Sequence, residues 1–286
     1  AECSRLSLIV RLGSYQMPAR ELNPQHALIS RIELAESYNA VELTMARRRW
    51  FGDIIVDWDW TSGACLTFAG HWSHLSQGIG LGVWSAADGD VLSRAESFFY
   101  GYRALPTFHI AADQGPTPDD LQRRGYRFLG SHTVVSLPSL QSAPGAISHV
   151  SEVLSDDAID QWIEVAAEGF RNRPPTDRGE REPGGVVACM SGAKLFGAFS
   201  SGALSGVGAL SMNAGIAVLF CDATLAQARG LGLHSELIRA RVAAAWRAGC
   251  DYAVALVAAG SQSHRNYLST GFRDTYTRCT WQRDFD

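Results

Sequence analysis

Lysine is almost missing from this 286-residue chain: Lys194 is the only one, and arginine supplies nearly all the positive charge. That reads as genome composition, yet it excludes a lysine-based nucleotide loop anywhere but beside Lys194. Clustered cysteines are missing too. The six present, Cys3, Cys65, Cys189, Cys221, Cys250 and Cys279, are scattered with no C-x-x-C. They predict buried free thiols in a reducing compartment and argue against a disulfide framework or a thiolate metal site. No apolar run approaches the ~20 residues of a membrane helix, and Ala1-Glu-Cys-Ser-Arg shows no charged start leading into an apolar core. An excess of positive charge is also lacking, since the formal net charge is −4. Together these absences predict a cytoplasmic protein with neither nucleic acid nor membrane as its partner.

What is present suits a globular chain: 46% of the residues are hydrophobic, and the length allows one large domain or two ordinary ones. The most informative stretch is Thr224-Leu-Ala-Gln-Ala-Arg-Gly-Leu-Gly-Leu-His-Ser-Glu-Leu237. It follows the apolar run Ile216 to Cys221, a predicted buried strand, and leads into helical spacing, so its glycines fall where strand becomes helix. A helix's first turn has amide N–H groups without partners and partial positive charge. A glycine-rich approach lets a diphosphate reach them without a lysine.

Helix Leu233 to Ala248 carries a wide apolar side (Leu233, Leu237, Ile238, Ala240, Val242, Ala244) and a narrow polar one (Ser235, Glu236, Arg239, Arg247). Arg241 breaks the pattern. Gly249 is the expected stop, Tyr252 to Ala258 a strand buried on both faces, and Ser261 to Tyr267 a closing helix before Leu268-Ser-Thr-Gly-Phe272.

Two registers fit the loop, Gln227-x-x-Gly230-x-Gly232 and Arg229-x-x-Gly232-x-His234, and the second agrees better with its flanks. This resembles the R/Q-x-x-G-x-G/A acyl-CoA loop of the GNAT acetyltransferase superfamily, with His234 in place of the final small residue. Tyr267 to Phe272 is similar to the Y-x-x-x-G-F that ends the last helix of those enzymes. The resemblance covers loop, helix, strand and closing helix in order, over roughly residues 190–286.

Earlier in the chain, Leu6 to Val10 is a short strand or a helix start, and Pro24 to Ala46 has helical spacing that predicts more than one helix. Arg47-Arg48-Arg49 then reads as a solvated helix end. Ile54 to Trp60 and Ala64 to Ala69 read as antiparallel strands across Ser62-Gly63. His71 and His74 lack an evident third ligand, and no metal site is assigned. Gly78 to Val83 looks like a glycine-bearing strand. Ser85 to Asp90 is acidic where a phosphate loop needs open N–H groups. A helix from Val91 to Tyr102, a strand from Phe108 to Ala112 and a helix starting at Thr117-Pro118 follow.

That order repeats at the C-terminus. Laying Gly125-Tyr126 on Gly271-Phe272, an offset of 146 residues, puts Ile110-Ala111-Ala112 on Leu256-Val257-Ala258 without a gap. A period so long implies duplicated domains. The expected fold class is therefore α+β: two tandem GNAT-like domains, each a mostly antiparallel twisted sheet with a parallel pair in the middle, flanked by helices. The expected boundaries are 1–140, a linker at 141–146 (Gln141 to Ala146), and 147–286. Leu121 stands in the place of Tyr267 and the first copy lacks an Arg229-Gly-Leu-Gly equivalent, so it is expected to have lost cofactor binding. The second copy opens with a strand from Ile147 to Val153 and a helix from Asp156 to Phe170, capped by Ser155. Arg171 to Pro183 is either a mobile surface loop or a substrate-facing lid, and Lys194 to Phe199 and Val207 to Met212 are strands.

Acyl transfer to an amine needs a deprotonated amine, whose free pKa is about 10, an oxyanion donor, and a proton for the leaving thiolate. The resemblance implies acetyl-CoA as the acyl donor and no metal. It lays the pantetheine arm on Asp222, Ala223 and Thr224, and the diphosphate on Arg229, Gly230, Leu231, Gly232, Leu233 and His234. Tyr267 falls at the general acid, with His264 and Asn266 nearby as polar or capping residues. For the base, Asp222, Glu164, Glu168 and water stay open. The implied partner is a small-molecule amine, and a monomer is expected because the halves can pair within one chain. Two further readings stay open, a catalytically silent acyl-CoA sensor and an aminoacyl-transfer enzyme on a tandem scaffold. The diphosphate loop counts against the latter.

Overall fold

The computed structural model describes residues 24–60, 63–139, 149–153 and 155–284. The Leu6 to Val10 segment, Cys3 and the expected linker at 141–146 lie outside them.

The chain begins with α1 (Pro24–Phe51), one 28-residue helix where the spacing predicted several. No glycine or second proline interrupts it, and its pattern is blurred because it is gripped from more than one side. Ile29 packs with Trp84 and Ala111, Ile32 with Val134 and Val254, and Ala46 with Trp162 and Val207. Arg47 is not the solvated helix end its cluster suggested. Its Nε donates to Glu182 at 2.6 Å, and its guanidinium reaches the Ala69 carbonyl.

The first half continues through β1 (Asp57–Asp59), β2 (Cys65–Phe68), β3 (Gln77–Ile79), α2 (Gly89–Gly101), β4 (Thr107–Ala111), α3 (Pro118–Arg123) and β5 (Tyr126–Pro138). The second half has β6 (Val150–Glu152), α4 (Asp156–Arg171), α5 (Glu182–Ala188), β7 (Lys194–Ser200), β8 (Ala203–Asn213) and β9 (Ile216–Thr224). It ends with α6 (Leu233–Arg247), β10 (Tyr252–Val257), α7 (Gln262–Ser269) and β11 (Arg273–Arg283). Local chemistry sets the helix starts. Thr117 and Asp120 form a capping box, and the Ser155 and Ser261 hydroxyls accept from Ala158 N and His264 N.

Some expectations change. The strand expected at Gly78 to Val83 stops at Ile79, because Gly80 and Gly82 take φ of 81° and 84° in a turn. The Arg171 to Pro183 stretch is held by the Arg173–Glu180 ion pair and by Arg178 stacked 4.7 Å from the Trp50 ring, and Pro183 belongs to α5.

All strands form one mixed sheet in the order β1-β2-β3-β4-β11-β5-β10-β9-β8-β7-β6. The pairs β3–β4 and β9–β10 are parallel and the others antiparallel. The halves trade their last strands: β11, from the second, pairs with β4, and β5, from the first, pairs with β10. The repeated order holds, but the gapless 146-residue offset does not. Ile110 sits in the core under α2, whereas Leu256, its partner at that offset, is exposed. A slip of one residue exchanges the faces of a strand, so β4 and β10 correspond with a one-residue shift.

A buried ion pair ties α1 to the traded strand. Glu33 is fully buried, and Arg278 of β11 donates to its Oε1 from Nε at 3.1 Å and from Nη2 at 2.7 Å. Tyr276 donates to the same oxygen. Replacing Arg278 by Met leaves Glu33 buried and uncompensated, and should cost about 3–5 kcal/mol in urea unfolding. Adding Glu33→Gln should recover part of that loss; a double variant no more stable than the single would contradict the pairing.

Candidate functional site

The site forms where β9 leaves β10. Their parallel pairing covers Ile216 to Val218 against Tyr252 to Val254, after which β10 pairs only with β5. Beyond Val218 the β10-facing edge of β9 is open. Against β8 the register shifts between Val207 and Ala209, and Cys221 takes φ 56°, the mark of a bulge.

Arg241, the residue that broke the helix pattern, explains how the bend is held. It lies on α6 with no exposure, Nε donating to Leu237 O at 3.1 Å and Nη1 to Ala209 O at 3.0 Å and Phe220 O at 3.3 Å. The last two carbonyls flank the bulge. Its Nη2 pairs with Asp222 Oδ1. A Cβ on Gly208 would stand 2.8 Å from both the guanidinium and that carboxylate, so only glycine fits there.

Asp222 receives more donors. Tyr267 gives its hydroxyl proton to Oδ2 at 2.6 Å, and His234 Nε2 lies 3.4 Å from the same oxygen. Burial pushes this carboxyl up, but Arg241, then His234 and Tyr267, outweigh it and hold it at about 2. Burial first, and then the Asp222 charge, push the Tyr267 phenol well above its ordinary 10.

The polarity of His234 follows from a chain of amides. Arg265 can only donate, and its Nη2 meets Gln262 Oε1 at 2.9 Å. Gln262 Nε2 therefore faces Asn266 Oδ1 at 2.8 Å, and Asn266 Nδ2 faces His234 Nδ1 at 2.8 Å. His234 Nδ1 is thus an acceptor, and Nε2 is the ring nitrogen on the Asp222 side.

A cavity of about 700 Å³ opens in front of this group. Asp222, Ala223, Thr224, Arg229, Gly230, Gly232, Leu233 and His234 line it, with Gly169, Ala228, Ser235, Gln262, Ser263 and Asn266. Gly230 and Gly232 both have φ 80°, and an added Cβ would meet open space at either. Gly232 is the N-cap of α6 without a side-chain cap, and the first helical bond runs from Glu236 N to Gly232 O. The amides of the first turn thus open onto the cavity.

Arg229 departs from that set. Its N–H donates to Ala226 O at 3.3 Å, and its guanidinium is tied to Thr224 O at 3.2 Å, Gly169 O at 3.4 Å and the Asn172 side chain. Leu231 is exposed on the bend and is not part of the wall. Tyr267 is fully buried and stands behind Asp222, also off the wall. His264 turns away to Asp274 at 2.7 Å and accepts from Gly260 N at 3.0 Å. Glu164 is held by Arg181 at 2.6 Å, and neither it nor Glu168 reaches the cavity wall. The sequence had not marked Gly169, Asn172 or Gln262. Gln262 and Asn266 lie at i,i+4 on one short helix, a spacing that could have signalled a shared polar face. Among the described residues no group of three or more His, Cys, Asp or Glu could hold a metal ion. No helix there is long and apolar enough to cross a membrane.

The depressed Asp222 pKa carries a sign. Its contribution to stability is fully present above its ordinary 3.8 and is lost as pH falls toward about 2. Urea midpoints of the parent should therefore fall between pH 4 and 2 more steeply than those of Asp222→Asn. Parallel curves would show that this carboxylate is not held down.

No protein-family model matches the chain, and no curated protein matches it. Solved structures do. A GCN5-related N-acetyltransferase from Kribbella flavida is 14% identical with TM-score 0.60, over 87% of this chain and 96% of its own. One from Sphaerobacter thermophilus is 14% identical with TM-score 0.52, over 82% and 83%. A tandem GNAT protein from the clavulanic acid biosynthesis pathway is 14% identical with TM-score 0.51, over 85% and 89%. With the mixed sheet, its two parallel pairs and the repeated element order, these likenesses show that the chain has the fold of the tandem GNAT proteins.

Proposed function

We propose that the protein is an N-acyltransferase that moves the acetyl group of acetyl-CoA to a primary amine of a small molecule. The observation that carries this reading is the uncapped first turn of α6, opening with two left-handed glycines onto a cavity beside the β9–β10 split. Unpaired amides at a helix start suit a diphosphate. Because Arg229 N–H is already used, the diphosphate would take the amides from Gly230 through His234, with Arg229 bracing the loop against the end of α4. The open edge of β9 at Asp222, Ala223 and Thr224 would take the pantetheine arm.

Tyr267 keeps its proton at neutral pH, as a donor to a leaving thiolate must. Because Tyr267 stands behind Asp222 and off the wall, delivery requires its hydroxyl to leave Asp222 and turn into the cavity as the thiolate forms. Asp222, held at about 2, is too weak a base for an ammonium of pKa about 10. Glu164 and Glu168 lie off the wall, which favours a water-borne route for that proton. The two halves complete one sheet within a single chain, which supports a monomer.

Calorimetric titration with acetyl-CoA, followed by thiol release over a panel of amines, tests the reading. Tyr267→Phe should lower kcat by about 10²-fold while leaving the Kd for acetyl-CoA unchanged. Binding without turnover of any amine would make the protein a silent acyl-CoA binder. An equal loss of affinity and melting temperature in Tyr267→Phe would make that residue a buttress of Asp222 only.

A further inference from the structure

A second cavity, of about 830 Å³, lies in the first half and has no part in the reading above. Its floor is the sheet face opposite α2, where β4 presents Thr107 and His109, β11 presents Thr280 and Gln282, and β5 presents Arg127 and Leu129. The turn from Gly70 to Ser76 overhangs it, and Arg103, Ala104 and Leu105 close one side. In the second half the corresponding sheet region is filled by Trp162, Val186 and Val187 of α4 and α5. Here α1 meets β4 at Ala111, and the face beyond carries the cavity.

The wall has a distinct chemistry. Trp72 stands on the turn with φ 63° and a side chain that is fully open, at 101% relative exposure. An indole held in solvent at a cavity mouth offers a flat apolar platform and gains nothing from the protein's own core. Leu105 and Leu129 add apolar surface inside.

Two arginines and one carboxylate share the wall. Arg127 is taken up by Gln282 at 2.9 Å and Asp284 at 3.2 Å. Arg103 forms no ion pair among the described residues, which leaves one positive charge unbalanced at the rim. On the floor, His109 Nδ1 is 3.0 Å from Thr280 Oγ1. Burial, with Arg278, His132 and His74 adding to it, pushes this imidazole down to about 3, so it is neutral and adds no charge of its own.

We propose that this cavity binds a flat, apolar monocarboxylate, its ring against Trp72 and its carboxylate on Arg103. The size suits a small organic ligand, and a single free guanidinium near Trp72, Leu105 and Leu129, on a wall otherwise lined by uncharged polar groups, the histidines His71, His74 and His109, and the Arg127–Asp284 pair, selects one negative charge on an apolar body.

Calorimetry on the full chain with 2-naphthoate, 2-naphthamide and 2-naphthylmethylamine tests the site without reference to acyl transfer. The carboxylate should bind one per chain, and the neutral amide about tenfold more weakly. Arg103→Ala and Trp72→Ala should each raise the Kd for 2-naphthoate about tenfold. Both side chains are exposed, so melting temperatures should not move, and the affinity for coenzyme A should stay unchanged in each variant. Absence of 2-naphthoate binding at millimolar concentration, tighter binding of the amine, or an unchanged Kd in either variant would overturn the assignment.

Discussion

A buried arginine cannot stand beside an apolar helix face unless a carboxylate and several carbonyls meet it, and Arg241 is met by Asp222, Ala209 O and Phe220 O. The two carbonyls belong to the strands at the point where β8 and β9 lose register, so one guanidinium satisfies the groups that the bulge displaces. This lets β9 part from β10 while the core stays closed. The same contact fixes α6 against the bend, and its first turn then faces the opening. Tyr267 and His234 are arranged around the same carboxylate and Asn266 meets His234, so cavity wall and core share one polar network.

The two halves are bound more closely than adjacent domains need be. Each lends its last strand to the other, and the Glu33–Arg278 pair links the first helix to the final strand. Of the two matching helices, α6 in the second half and α2 in the first, only α6 keeps an open start. In the other, Asp88 turns its own carboxylate onto Asp90 N at 3.1 Å and Val91 N at 2.9 Å, filling from within the place an external anion would take. A carboxylate there also repels a phosphate. The duplicated fold thus carries one site of this kind, and the first half has instead a wide cavity on the opposite sheet face from its helix.

Features that depend on neighbours in the chain were legible from the residues. The cap at Ser155, the helix start at Thr117-Pro118, the apolar side of α6 and the glycine turn at Gly230 to Gly232 each follow from a few adjacent side chains. Features that depend on a distant element were not. Arg241 showed only as an exception, because its partner lies on β9. The single long α1 was obscured by buried polar residues such as Ser30, Glu33 and Asn39, which answer to several surfaces. The traded strands leave no local trace, since which strand lies beside β5 or β11 is set by residues far away in the chain. Within the site, the sequence brought Tyr267 near the chemistry, but only the fold shows its hydroxyl given to Asp222 and Arg229 spent on the α4 end.

On the proposed function, the main chain from Gly230 to His234, and no described helix start in the first half, grips the diphosphate of coenzyme A. Amide chemical shifts of the isotopically labelled chain, followed as coenzyme A is added, test it most directly. The amides of residues 230–235 should move the furthest, and those of 85–91 should stay in place. Shifts at both helix starts, or movement confined to residues away from 230–235, would contradict it.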